Sequence, residues 1–307
     1  MINKAFDVVG VGYCAFDYLG IVGRYPALDE KMRMDQFAMQ CGGVTATAMV
    51  TVARLGGRAS YIGKVGGDDF GSRILSALQS EGVDVGSCVV DSEAASPFGF
   101  VVVDKTTGKR TIFWTSSGMR LEPGEICRAD VLAGTVLHID DHHADAALLA
   151  SSWAKEAGIP VVMDAGSVRP RSAEVVEKVD CLIMSSTFAR DFTGESDPEK
   201  SAVSMLESRR ISAVTLGDHG CVYATRDGVA HQPAFPVEVV DTTGAGDVFH
   251  GAFSFGLSQG WEFARIIEFA SATAALKCSQ LGGQAGIPGF REVRDFLDSK
   301  SIGPQPA

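Results

Sequence analysis

The chain has 307 residues, with 27 Lys+Arg against 38 Asp+Glu and a formal charge of −11. That sign excludes a general nucleic-acid-binding surface, which needs a positive field. A composition of 46% hydrophobic and 21% charged residues excludes a disordered chain. The 35 glycines are the unusual count, and where they gather is informative.

Taken in chain order, residues 1–12 carry one lysine and then a short apolar run, with no apolar core and cleavage site of a secretory leader. No stretch of about 18 uncharged apolar residues occurs later. These features point to a cytoplasmic protein without membrane association. Residues 6–11 are a strand. They run into Gly10-Val11-Gly12-Tyr13-Cys14-Ala15, which has the G-x-G-x-x-A spacing of a dinucleotide fingerprint. That fingerprint needs a helix starting at the glycines, and residues 16–26 contain Gly20, Gly23 and Pro26 without helical period. The segment therefore reads as a strand ending in a tight turn. Asp17 follows it, at the edge where open α/β sheets take their ligands.

Segments 13–40 and 97–114 combine turn signals with alternating apolar residues, and they predict a small antiparallel sheet inserted as a lid. Lys31 and Arg110 belong to it; either is a solvated cation or a charge folded over a ligand. Between the lid segments, Gly42-Gly43 leads into an apolar helix over 44–55 that includes Thr47. Glycines there admit a polyol close to the backbone or simply pack a small-residue loop. Further strands are predicted over 60–62, 136–139, 161–164, 181–184 and 213–216, and helices over 70–80, 144–157, 198–208, 245–259 and 262–281. Gly56, Gly82, Gly158, Gly260 and Gly282 sit where helix C-caps fall. The alternation predicts an α/β fold with a mostly parallel sheet, one domain over 1–300 and a flexible tail over 301–307. Seven scattered cysteines without a C-x-x-C pair read as reduced thiols. After the strand at 136–139, Asp140, Asp141 and His142, with His138 inside the strand, suit hydroxyl binding or supporting structure better than a metal. Two acids there disfavour an anionic substrate.

The most informative cluster is Asp241-Thr242-Thr243-Gly244-Ala245-Gly246-Asp247, followed by an apolar helix. Small residues at a helix start turn several backbone N–H groups toward one point, an anion-binding nest reinforced by the helix dipole. Asp247, beside the nest, is positioned to take a proton from an attacking hydroxyl. One helix cap explains one acid; it does not explain two acids bracketing Gly-Ala-Gly. No G-x-x-x-x-G-K-[ST] occurs, which excludes a P-loop at motif level.

With these residues in hand, the chain resembles the ribokinase/PfkB family of carbohydrate kinases along nearly its whole length. The resemblance is carried by Asp17, Gly42-Gly43 with Leu55-Gly56, Gly63-Lys64-Val65-Gly66 with Asp68 and Gly71, Thr215-Leu216-Gly217 with Gly220, and the 241–247 signature. The C-terminal third is most similar to ketose-kinase and sulfofructose-kinase-like members. The resemblance implies a ribokinase-like three-layer α/β/α sandwich with a small antiparallel β lid, and ATP-dependent phosphorylation of a sugar hydroxyl. It implies Asp247 as general base and the amides of Gly244, Ala245 and Gly246 as the anion hole. Asp17, Gly42, Gly43, Thr47, Lys31 and Asp141 are the substrate-side candidates. Ser185, Thr215, Gly217, Gly220, Gly244 and Gly246 are expected on the nucleotide side. Asp241 and Thr243, with loop 279–286, resemble a monovalent-cation site, so the expected cofactors are ATP, Mg²⁺ and K⁺. The expected partners are a neutral sugar and, through the lid, a second copy of the chain. An anionic sugar, a nucleoside, or a non-catalytic sensor role are the alternatives.

Two departures stand out. Thr47 occupies a position where many members carry Asn. Ser185-Ser186-Thr187-Phe188 replaces N-x-x-E, removing a carboxylate expected to help organise Mg²⁺.

Overall fold

The computed structural model describes residues 4–207 and 209–301. The chain begins with β1 (Phe6–Val11), β2 (Ala15–Val22), β3 (Gln36–Gly42), α1 (Val44–Arg54), β4 (Ala59–Ile62), β5 (Lys64–Gly66), α2 (Asp69–Ser80), β6 (Val89–Asp91), β7 (Phe98–Asp104) and β8 (Arg110–Thr115). It continues with α3 (Arg128–Val131), β9 (Gly134–Ile139), α4 (Ala144–Glu156), β10 (Val161–Ala165), α5 (Ser172–Val176), β11 (Cys181–Ser185), α6 (Ser186–Thr193), α7 (Pro198–Ser204) and β12 (Ile211–Thr215). The last elements are β13 (Cys221–Thr225), β14 (Gly228–Gln232), α8 (Ala245–Ser258), α9 (Phe263–Lys277) and α10 (Phe290–Ser301).

Eight strands form the large sheet in the order β14-β13-β12-β11-β10-β9-β1-β4. Pairing is parallel from β4 to β12, and the β13–β14 hairpin closes one edge antiparallel. The parallel strands are apolar on both faces, because helices cover both. Val8, Val136, Val162, Ile183 and Ala213 point into one core with α1, α2, α8, α9 and α10. Their neighbours Val9, Leu137, Met163, Leu182 and Val214 point into the other, with α4, α5, α6 and α7. This is the three-layer sandwich, built by a period-two alternation that serves both layers.

Four strands, β3-β2-β7-β8, make the smaller sheet. Its two outer pairings are antiparallel and its central pairing, β2 with β7, is parallel. β2 and β7 leave the large domain by separate crossovers, so nothing forces them antiparallel. The register puts Asp17, Leu19, Val101, Val103, Trp114 and Arg110 on the inner face. There Leu19, Ile21, Val101 and Val103 pack on Val240 and Leu281.

Some expectations are corrected here. The Gly10–Ala15 segment leads into the strand β2, not a helix, in agreement with its reading as a turn. The helix predicted over 262–281 stops at Lys277, because the Cys278 carbonyl turns away to accept the amides of Val240 and Asp241. The helix predicted over 198–208 ends at Ser204, and residue 208 lies outside the described residues. α3, α5, α6, α10 and the β13–β14 hairpin were not predicted. α10 was legible, since Phe290, Val293, Phe296 and Leu297 recur at helical spacing and pack on the core. Within the expected tail over 301–307, Ser301 ends α10, and 302–307 lie outside the described residues.

Candidate active site

The C-terminal ends of the parallel strands converge with the N-terminus of α8. Gly244 is the N-cap of α8 in the left-handed region, with φ 74°. A Cβ there would also lie 2.8 Å from the backbone of Gly283, so glycine is required on two counts. At Gly246 a Cβ would meet nothing within 4 Å, so its face of the nest is open.

Asp247 lies in the first turn of α8 and is partly accessible. Its carboxyl accepts no hydrogen bond from the described residues, and desolvation, with Asp164 adding to it, pushes the group up to about 7. Asp17 on β2 behaves the same way: burial, then the charge of Asp247, raise it to about 6. Two facing carboxyls without protein donors are poised to share a hydroxyl. Gly42 and Gly99 flank Asp17 on the neighbouring strands; a Cβ at Gly42 would collide with its carboxylate, and one at Gly99 would come within 2.7 Å of it. The glycine pair thus leaves room for the acid itself. Gly43 caps α1 with φ 92°, pressed against the backbone of Cys14 and Ala15.

Beneath Asp247, one helical turn on, His250 lies against the sheet. Its Nδ1 is 2.6 Å from the Gly246 carbonyl and its Nε2 3.2 Å from the Ile183 carbonyl. Burial pulls the ring below its ordinary imidazole range. Asp164 Oδ2 is 3.0 Å from the same Nδ1 but makes no directed hydrogen bond, and burial drives this carboxyl well above its ordinary range. Asp164 and His250 were not singled out from the sequence. A polar residue three positions after Asp247 on an apolar helix was the available signal.

Asp140 contrasts with these acids. Its Oδ2 accepts the Tyr13 amide at 2.8 Å and the Thr45 hydroxyl at 2.7 Å, and its Oδ1 accepts the His142 amide at 2.9 Å. The neighbouring His142 and these donors outweigh burial and hold it well below the carboxylate range. Asp141 is committed to Arg169 at 2.8 Å and to the Ser172 hydroxyl. Arg169 Nη2 also lies 2.7 Å from His142 Nε2, and His142 stacks on Tyr13 with ring centroids 4.3 Å apart. The 140–143 segment is a knot of mutual partners. Among the described residues no group of three or more His, Cys, Asp or Glu is arranged to hold a metal ion.

The remaining candidates fall in three places. Ser185 and Thr215 are register partners at the ends of β11 and β12, with Gly217 and Gly220 in the turn that follows. Ser185 Oγ caps α6 by accepting the Phe188 amide and donates to the Gly166 carbonyl. Phe188 is fully buried and stacks on Phe192, so the position is a core one. Thr47 is buried, with its hydroxyl taken by Gln284 Nε2 at 3.2 Å. Arg54, at the other end of α1, donates to the carbonyls of Gln284 and Ile287 and pairs with Glu81. Lys31 is exposed between β2 and β3 and makes no ion pair among the described residues. Arg110 reaches the signature loop, 3.2 Å from the Thr242 hydroxyl, and lowers Asp247 electrostatically.

Asp241 and Thr243 meet, but mainly each other: Asp241 Oδ1 accepts the Thr243 amide at 2.8 Å and its hydroxyl at 2.7 Å. Oδ2 accepts the Gly282 amide at 2.7 Å, tying the signature to loop 279–286.

The geometry agrees with what the chain is similar to. The model of the pfkB family of carbohydrate kinases matches residues 5–289. A fructokinase-1 from Oryza sativa subsp. japonica is 31% identical over 97% of this chain and 100% of its own length. The crystal structure of a putative ribokinase from Agrobacterium tumefaciens superposes with a TM-score of 0.89 at 27% identity, over 96% of this chain and 98% of that one. A putative ribokinase II from E. coli in complex with ATP and Mg²⁺ shares the fold, with a TM-score of 0.83 at 24% identity over 95% and 99% of the two chains. The chain belongs to the pfkB family of carbohydrate kinases and is a sugar kinase.

Proposed function

We propose that the chain phosphorylates a small neutral sugar, with Asp247 as general base. The observation that carries this is the Asp247 carboxyl, without a protein donor, raised to about 7 and beside the nest at Gly244. Asp17 orients the acceptor hydroxyl and Asp247 takes its proton as the oxygen bonds to the γ-phosphorus. The bond from that phosphorus to the bridging oxygen breaks, and ADP leaves. The amides of Gly244, Ala245 and Gly246 receive the charge on the transferring group. Ser185, Thr215, Gly217 and Gly220 form the nucleotide side. A Mg²⁺ ion arriving with ATP, as in the fold neighbour, would supply charge neutralisation of the phosphates; α6 offers it no carboxylate, since the side chain at this position is the buried Phe188. Gly42 and Gly43 leave the sugar close access to the backbone. A neutral sugar is favoured because the carboxyls of Asp17 and Asp247 lie on this side of the site while Arg169 is bound by Asp141 and Lys31 is exposed, leaving Arg110 as the lid cation that acts on Asp247.

The test is an ATP-coupled assay over fructose, ribose, other neutral sugars, nucleosides and anionic sugars with Mg²⁺ and K⁺ present. Turnover is expected on a neutral sugar, with kcat falling about 10²–10⁴-fold in Asp247→Asn. Wild-type turnover in Asp247→Asn, or selectivity for an anionic sugar that is lost in Lys31→Ala, overturns the corresponding part.

We further place the chain in the cytoplasm, which suits seven free cysteines. We assign the lid's outer face, with exposed Phe37, Met39, Phe100 and Phe113, to a second copy of the chain. Sedimentation equilibrium reads that assembly.

A further inference from the structure

Lys277, at the end of α9, is fully buried, and its Nζ donates to the main-chain carbonyl of Asp241 at 2.9 Å. This is the turn that the family resemblance marks as a monovalent-cation site, and its residues do not fit such an ion. All three oxygens of Asp241 already take donors: Oδ1 from Thr243, Oδ2 from Gly282, and the carbonyl from the ammonium. On the facing loop, the Cys278 carbonyl accepts the amides of Val240 and Asp241. A hard cation needs oxygen lone pairs turned toward one point. Here the oxygens of Asp241 and Cys278 are turned toward amide, hydroxyl and ammonium donors, the last of which carries the charge.

We propose that Lys277 supplies from within the chain the positive charge that a monovalent cation brings to the Asp241–Thr243 turn, so that this kinase works without potassium. The inference deepens the kinase reading and rests on it. An ammonium and a potassium ion have similar size and the same charge, and the lysine stem delivers the ammonium to a fixed place. Burying an ammonium is costly unless it is paired, and an apolar side chain of the same length would fill the space without that cost. The Asp241 carboxylate is the electrostatic partner that opposes the downward pull of burial on Lys277. Arg110 adds positive charge on the same side, so a further cation would enter against two like charges. The ammonium also interacts with Asp247, which places a cation held by the chain itself within electrostatic reach of that carboxyl.

The experiment compares wild-type protein and Lys277→Met in potassium chloride and in tetramethylammonium chloride at equal ionic strength, by sugar-dependent ADP formation and by thermal melting. Wild-type kcat is expected to differ less than about twofold between the salts, and its melting temperature to be the same. Lys277→Met is expected to lose about tenfold or more in kcat without potassium, and to recover activity and melting temperature when potassium or ammonium ion is added. Potassium-dependent wild-type turnover overturns the proposal, as does a Lys277→Met protein equal to wild type in both salts. If Lys277→Met does not fold, the wild-type comparison decides alone. If no sugar is turned over, the kinase reading fails first, and melting still tests Lys277: potassium-specific stabilisation of the wild-type protein overturns the proposal, and its absence supports it.

Discussion

Asp140 and Asp247 both stand at the carboxyl edge of the large sheet, and the protein treats them in opposite ways. Asp140 is surrounded by donors from Tyr13, Thr45 and His142 and is locked in its ionised form. Asp247 has none, and burial with Asp164 beside it raises it to about 7. A carboxylate given its full set of protein hydrogen bonds becomes part of the framework. One deprived of them keeps its proton affinity for a substrate.

The largest effect expected on the reactive side comes from the backbone that frames Asp247. Gly244→Ala forces a side chain into φ 74° and onto Gly283, and kcat is expected to fall about 10²-fold, the scale of losing one anion-hole donor. Gly246→Ala, with open space around its Cβ, is expected to stay within about fivefold. Equal losses in the two variants, measured by steady-state kinetics, would show that the nest is not held by Gly244. On the framework side, Asp140→Asn sets an NH2 donor against the amide of either Tyr13 or His142, which donate to different oxygens, and is expected to cost about 2–3 kcal/mol in urea unfolding. Asp247→Asn at pH 8 should not destabilise. Its folded carboxyl is raised, so ionisation between the unfolded value near 3.8 and the folded value near 7 costs stability, which the amide removes. Similar destabilisation in both variants would erase the distinction. The smallest effect concerns the exposed cation of the lid. Arg110 lowers Asp247, so Arg110→Gln is expected to move the acid limb of the kcat–pH profile upward by a fraction of a unit. The shift should shrink at 0.5 M salt, where exposed charges are screened. A downward shift would contradict the sign.

Much of this was legible in the sequence because local rules sufficed. The strand runs 6–11, 136–139 and 181–184, the glycine stops and the 241–247 nest each announce themselves within a few residues, and the lid followed from a break in the α/β rhythm. What escaped depends on contacts far apart in the chain. The partners of Asp140 come from residues 13, 45 and 142, and nothing at 140 alone says that its lone pairs are spent. Likewise Lys277 reads as the polar end of an amphipathic helix until the fold turns it inward to Asp241. Asp164 looks like a strand terminus, and only the packing of α8 shows it next to His250. The parallel β2–β7 pairing could not be read because both strands look the same whichever way they run.

The attachment of α1 to loop 279–287 at both ends, through Thr47 with Gln284 and through Arg54 with Gln284 and Ile287, has a mechanical consequence. Helix and loop are tied into one plate, with Gly42 and Gly43 at one margin and the Asp241–Gly244 turn at the other. An opening of the lid would hinge at the crossovers where β2 and β7 leave the main body and would shear the contact of Leu19 and Val101 with Val240 and Leu281. Because Asp17 sits on β2, a movement of the lid would carry that carboxyl with it, while the plate would hold the Gly244 turn in place against Gly283.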